Sequence, residues 1–525
     1  MCKFQVFSDN EWIYPDTKIE ESNRIELYAA RGADVCFQVL TDYVATGDEV
    51  LQISTEGLPR GCEIVMYQLL PAHVGKNSDR KMLTTLDYES VRDFVTKKAP
   101  FDVYEITRQI KNGELSEGRV AFFVRINVMK DEIPGSYSGE LKLEIGSETL
   151  KIDVKCKVYE VQIPPLKEAN FHMVNWIYYD SLAEQHKVGL WSEEYREVLN
   201  AYLDNQLDMR NDYLMLPSGE PIRNEAGEVI DFDFSGMEYV GELALSKGFS
   251  YVMGGFVARF ERWNDDDHFL LWDRQVKVTS IEGFRQLKLY FMRAWESVCR
   301  KGWQKHYMQC LVDEPQFPNS SAYRALSGIC RQNFPGVQIH DPVETTDIFG
   351  ALDVWVVKQA IYEQYLDTYR RLQDMGEEIW LYTCGFPGGK VMNRVIDLPL
   401  TVSRLPMWMC YKYDTQGFLH WGYHLHNPEV EKETCYRPTW DKTTHPAGNS
   451  FVVYPGNGEP NYGVRGHAQR SGAYDYELFY LLGLRENGKH KAKELIEKVC
   501  RGFDDYNPSA ILFDEVRHEL LELLG

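Results

Sequence analysis

Apolar residues alternate with polar ones through the first third of the chain, then recur at helical spacing between short apolar runs. Residues 25–31 and 34–40 carry β-formers on either side of Gly32, a hairpin pattern. Residues 62–68, 120–127 and 139–145 follow as strands, and residues 149–158 repeat with a clean period of two. Short strands with turn signals and almost no helical periodicity predict a β-sandwich over residues 1–165. Pro164-Pro165 cannot continue a strand and marks the expected boundary.

Beyond that boundary the period changes. Apolar runs at 171–178, 212–217, 251–257, 307–312, 337–340, 353–358 and 378–384 predict seven strands. An eighth falls at either 407–411 or 417–421. Helical spacing separates them at 193–207, 238–247, 281–301, 320–332 and 361–375, with Gly248 and Gly302 as C-terminal stops. Eight strands alternating with helices across residues 166–485 predict a (β/α)8 TIM-like barrel, with a doubly wound sheet as the alternative. The chain is thus expected to be α/β with an all-β N-terminal domain, and residues 486–525 to be terminal helices packed on the barrel.

Composition narrows the function classes. At 525 residues the chain needs more than one core. A net charge of −22 argues against nucleic-acid and anionic-membrane partners, both of which call for basic patches. Aromatics make up 13% of the residues, including 32 Tyr and 12 Trp, enough for core filling and for surfaces that stack on sugar rings. The 11 cysteines form no CxxC pair, so neither a zinc site nor a redox motif is expected. The first ten residues lack the basic and apolar regions of a signal peptide, and no run of 18 apolar residues occurs. A soluble, cytoplasmic protein is the expectation, or an exported one if a leader has been removed.

The stretch from Tyr307 to Gln316 carries the sharpest chemical signal. An apolar strand ends in Asp313-Glu314, and Pro315 then stops the ladder. In a barrel, strand C-termini share the face that bears the chemistry. That face would collect Asn175, Trp176, Tyr178, Asp313, Glu314, Asp341, Lys358 and Tyr382, with Trp408, Tyr411 and Trp421 from the last segment and Arg465 beyond it. Aromatic rings beside carboxylates and amides suit a sugar: rings stack on the C–H face and polar groups fix the hydroxyls.

At this point the chain resembles glycoside hydrolase family 123 and its close relatives, from the β-rich region through about residue 485. Leu311-Val312-Asp313-Glu314-Pro315, Asp353-Val354-Trp355-Val356, the runs 380–385, 417–421 and 453–456, and Arg470 through Glu477 carry the resemblance by their order and spacing. The resemblance implies a β-sandwich before a (β/α)8 barrel. It also implies an exo-acting β-N-acetylgalactosaminidase that works by substrate-assisted retention through an oxazolinium intermediate, without a cofactor. Its adjacent Asp-Glu pair corresponds to Asp313 and Glu314. Glu314 is then expected to protonate the leaving oxygen and to hold a raised pKa beside its like-charged neighbour, with Asp313 holding the acetamido N–H. Tyr382 or Tyr411 is expected to orient the acetamide, Trp421 or Trp408 to floor the pocket, and Asn175, Lys358 and Arg465 to bind hydroxyls. Arg465 is equally a candidate ion-pair partner of Asp475.

Other readings stay open. A broader β-N-acetylhexosaminidase fits the same residues, and nothing in them encodes the C4 epimer. An ordinary retaining or inverting glycosidase needs a second carboxylate opposite Glu314, for which Asp341 and Glu344 are candidates. A carbohydrate-binding protein with an inactive pair is the reading outside the enzymes. His420, His424, His426 and His445 do not have metalloprotease spacing, residues 264–267 lack the Gly and distal Glu of a calcium loop, and residues 385–390 are not a phosphate loop. No metal is expected.

Overall fold

The structure is a computed structural model that describes residues 2–81, 83–262, 267–273, 275–426 and 445–525. Residues 264–266 and Cys435 lie outside the described residues. The chain divides into two compact units. One comprises Met1–Phe171, Gly385–Tyr413 and Gly422–Gly525, and the other His172–Cys384 and Asp414–Trp421.

The first unit is built on two β-sheets, one of seven strands and one of four. Leu143, Ile145, Ile152 and Val154 of the smaller sheet meet Phe37, Val39, Phe122 and Val124 of the larger in one buried cluster. The strand Glu148–Gln162 buries alternate residues, as its period of two requires, and pairs antiparallel with Gly135–Ile145. The expected hairpin around Gly32 does not form. Arg24–Arg31 pairs with Glu148–Gln162 in the small sheet, whereas Asp34–Ala45 pairs with Gly118–Val128 in the large one. Gly32, at φ +73°, turns the chain from one sheet to the other.

The unit boundaries differ from those expected at 165 and 485. Two late strands, Val453–Pro455 and Pro460–Gly463, complete the seven-stranded sheet, the second pairing with Phe101–Gln109. The helix Val464–Gly483 is buried nearly all round. Val464 and Ala468 pack on Tyr67 and Phe123 of the large sheet. The terminal helix Ala510–Leu524 lies on the small sheet, with Arg517 donating to Tyr28 O and His518 stacked on the Tyr28 ring at 3.6 Å.

The second unit is the barrel. Its eight strands are His172–Asn175, Tyr213–Met215, Tyr251–Gly254, Tyr307–Gln309, Gln338–Val343, Val354–Lys358, Glu378–Thr383 and Gly417–His420. All ladders between them are parallel. Strands one and two stand at the ends of the sheet, joined where Asp212 N–H donates to Met173 O at 3.2 Å. The barrel is thus nearly closed. The eighth strand is Gly417–His420, while Leu405–Lys412 is a helix of the other unit. Met253, Met308, Val354, Val356, Trp380 and Leu419 fill the interior. Helices Glu193–Asp208, Ser235–Lys247, Ile281–Lys301 and Ser320–Asn333 connect the early strands, with Ser192 and Ser280 capping the first and third. The expected helix at 361–375 is two shorter ones, broken at Tyr365.

Candidate active site

Strand four stops pairing at Gln309, three residues sooner than its apolar run predicts. The cause is Asp341 at the end of strand five. Its carboxylate takes the Leu311 N–H at 2.9 and 3.1 Å and the Tyr323 hydroxyl at 2.8 Å, a place the ladder would otherwise give to a carbonyl. On the other side Cys310 N–H still donates to Gly254 O at 3.0 Å. Asp341 thereby anchors the backbone that leads into Asp313-Glu314, and it is not a carboxylate facing Glu314.

Glu314 adopts φ +47°, a left-handed conformation that costs a non-glycine residue roughly 1–3 kcal/mol. The pair therefore does not continue as extended backbone. Glu314 is 7% exposed. Tyr382, from strand seven, donates its hydroxyl to Glu314 Oε1. Lys358 Nζ, from strand six, stands 3.3 Å from the same oxygen, and Cys384 Sγ lies 3.7 Å from it. Lys358 is also hydrogen-bonded to Glu344, which follows strand five, and Gln316 Nε2 donates to the second Glu344 oxygen at 3.1 Å.

Asp313 is half-buried. Burial, and then the Glu314 charge, push its carboxyl well above the usual range, against the pull of Lys358. Glu314, in contrast, has the Tyr382 hydroxyl as a donor to its carboxylate and the Lys358 ammonium beside it. Burial and the Glu314 charge likewise push the Tyr382 hydroxyl up, so it stays a donor.

The barrel unit also holds Asn175, Trp176 and Trp421 among the expected residues. Asn175 Nδ2 donates to Asn211 Oδ1 at 2.7 Å. Trp176 packs edge-on against Phe256 at 5.3 Å, and its buried indole N–H has no hydrogen-bond partner among the described residues. Tyr178, Phe256, Cys384 and Trp421 are among the half-buried members of the same cluster and follow the C-terminal ends of strands one, three, seven and eight.

Trp408, Tyr411 and Arg465 belong to the other unit, where each has a packing role. Trp408 Nε1 donates to Asp475 at 3.0 Å, and Tyr411 stacks on Phe479 at 5.5 Å. Arg465 is fully buried and pairs with Glu105 at 2.8 Å, not with Asp475, whose partners are Arg404 and Arg517. Cys384 and Gln316 were not singled out by sequence. Their signal is position alone, one directly after strand seven and the other two residues after Glu314.

The family model "Glycoside hydrolase 123, catalytic domain" matches residues 176–482, more than half of the chain. The chain belongs to glycoside hydrolase family 123. It is an enzyme of the glycosidase class, and the matched span contains both Asp313 and Glu314. Its structure is similar to that of a family 123 glycoside hydrolase from Clostridium perfringens, whose structural analysis concerns glycolipid glycan hydrolysis. That likeness has a TM-score of 0.74 and 13% identity and covers 100% of this chain and 97% of the other, so it shows the fold. A second similar structure is the exo-β-1,4-mannosidase Op5Man5 from Opitutaceae bacterium strain TAV5. It aligns at TM-score 0.39 with 11% identity over 58% of this chain and 60% of that one, too weak to carry an argument. No curated protein matches the chain by sequence.

Proposed function

We propose that this family 123 glycosidase releases terminal β-linked N-acetylgalactosamine with retention of configuration, the substrate's own acetamide acting as nucleophile. The observation that carries this is the contrast within the Asp313–Glu314 pair. Glu314 is held by Tyr382 and Lys358, while Asp313 is half-buried and favours a proton. Of the two carboxylates considered as separate nucleophiles, Asp341 is bound to backbone and Glu344 to Lys358. That leaves the nucleophile's part to the substrate, as in the substrate-assisted exceptions among glycosidases.

Burial favours a proton on Asp313. The acetamido N–H needs an acceptor, so substrate docking favours ionised Asp313 and places the proton on Glu314. Glu314 then gives it to the glycosidic oxygen as the carbonyl oxygen attacks the anomeric carbon. Ionised Asp313 offsets the positive charge of the oxazolinium. Glu314, now a carboxylate, takes a proton from the water that opens the ring. Trp421, half-buried at the end of strand eight, suits the apolar sugar face. A glycolipid aglycone is a reasonable first choice, given the Clostridium perfringens relative. Purified enzyme on p-nitrophenyl β-GalNAc, β-GlcNAc and β-Gal tests the reading. Hydrolysis of the N-acetyl sugars alone supports it, and β-Gal cleaved as fast as β-GalNAc overturns it.

A further inference from the structure

One ammonium stands between two carboxylates at the end of the barrel strands. Lys358 Nζ is 3.3 Å from Glu314 and hydrogen-bonded to Glu344. Lys358 is 6% exposed, so solvent screens these charges little. Positive charge beside a general acid favours its ionised form and works against proton donation. Among the described residues, the groups facing Glu314 are its neighbour Asp313, the Tyr382 hydroxyl, the Cys384 thiol and Lys358. Of these, only Lys358 carries positive charge. Glu344 is fixed against it by Gln316 Nε2, and its own N–H donates to Pro315 O at 3.1 Å, tying it to the loop that bears the pair.

We propose that Glu344 is a positioning residue that balances the Lys358 charge, so that Lys358 can hold Glu314 in place without stripping the proton from the Asp313–Glu314 pair. This rests on Glu314 being the acid. With Lys358 and Glu344 both charged, the pair faces a nearly neutral couple. Removing Glu344 exposes the pair to the whole ammonium, and its proton leaves at lower pH. Removing Lys358 leaves an extra negative charge, and the proton is held to higher pH. Removing both restores neutrality. A salt bridge that only braced the loop would not produce this pattern of signs.

The test is the pH profile of kcat/KM on a β-linked N-acetylgalactosaminyl disaccharide, for wild type, Glu344→Gln, Lys358→Met and the double variant. The basic limb reports loss of the pair's proton in the free enzyme. Its midpoint is expected to fall by roughly 1–3 pH units in Glu344→Gln, to rise in Lys358→Met, and to return near wild type in the double variant. An unmoved limb with uniformly lower rates in Glu344→Gln overturns the proposal, as do shifts of the same sign in both single variants. If Glu344→Gln does not fold by circular dichroism, Lys358→Met and the double variant decide, and equal limbs in those two overturn it. Glu314→Gln on the same disaccharide separates the two readings. An undiminished rate there overturns the acid assignment itself. A crippled rate there with an unmoved Glu344→Gln limb overturns only the charge-balancing role.

Discussion

Tyr382 donates its hydroxyl to the Glu314 oxygen that Lys358 approaches at 3.3 Å. Two partners on one oxygen fix where that carboxylate points. They come from the ends of strands six and seven, so the barrel presets the geometry before substrate arrives.

Glu314→Gln keeps the size and the acceptor for Tyr382 but has no proton to give. On a substrate with a sugar leaving group, kcat is expected to fall by roughly 10²–10⁴. A p-nitrophenyl leaving group needs little protonation, so its release should fall much less. Steady-state kinetics on both substrates check the contrast.

Tyr382→Phe removes one donor to the Glu314 carboxylate and leaves the ring. The proton of the pair should then be held to higher pH, moving the basic limb of kcat/KM upward. The lost hydrogen bond to a charged group should lower kcat by about tenfold. The pH profile separates this from a packing defect, which would lower rates evenly.

His340 gives the barrel a sensitivity to acid. Both ring nitrogens are buried without partners, 4.8 Å from the Trp380 ring centroid, and burial pushes the pKa from 6.5 to about 4. A group whose folded pKa is depressed this way is protonated more readily in the unfolded chain. Its contribution is complete above pH 6.5 and is lost as pH falls toward 4. The 2.5-unit difference, 6.5 minus 4, corresponds to about 3 kcal/mol. Urea melts of His340→Leu should show a shallower loss of stability between those pH values than wild type.

Arg465→Met leaves Glu105 buried without its partner. Breaking such a pair costs about 3–5 kcal/mol, so the melting temperature should drop sharply. At a temperature where the variant is folded, KM should match wild type, because Arg465 lies in the sandwich-bearing unit with its partners there. A raised KM would restore it to the substrate-binding residues.

The Asp313-Glu314 pair was visible because it is local: an apolar strand, two carboxylates and a proline need no tertiary knowledge. The barrel strands were legible for the same reason, since each is a short apolar run between helices of regular period. What failed was long-range pairing. Residues 407–411 look as strand-like as 417–421, and only packing makes the first a helix. Gly32 sits between two strands as a hairpin turn would, yet Arg24–Arg31 pairs with Glu148–Gln162, and Asp34–Ala45 with Phe4–Ser8 and Gly118–Val128. Arg465 meets Glu105 across 360 positions, and no periodicity encodes that. Trp408 and Tyr411 were drawn toward the sugar by residue type, which does not say which unit a side chain enters. The Lys358–Glu344 couple was half legible: both residues were noted at strand ends, but not that each answers the other.

In the proposed reaction the substrate supplies the nucleophile while Asp313 and Glu314 assist. A series of p-nitrophenyl β-GalNAc substrates with zero to three fluorines on the acetyl group tests it most directly. Fluorine withdraws electrons from the carbonyl oxygen and weakens its attack on the anomeric carbon. Substrate assistance predicts that log kcat/KM falls steeply and steadily with each fluorine. A flat series, with all four sugars cleaved at similar rates, would contradict it and require a nucleophile from the protein.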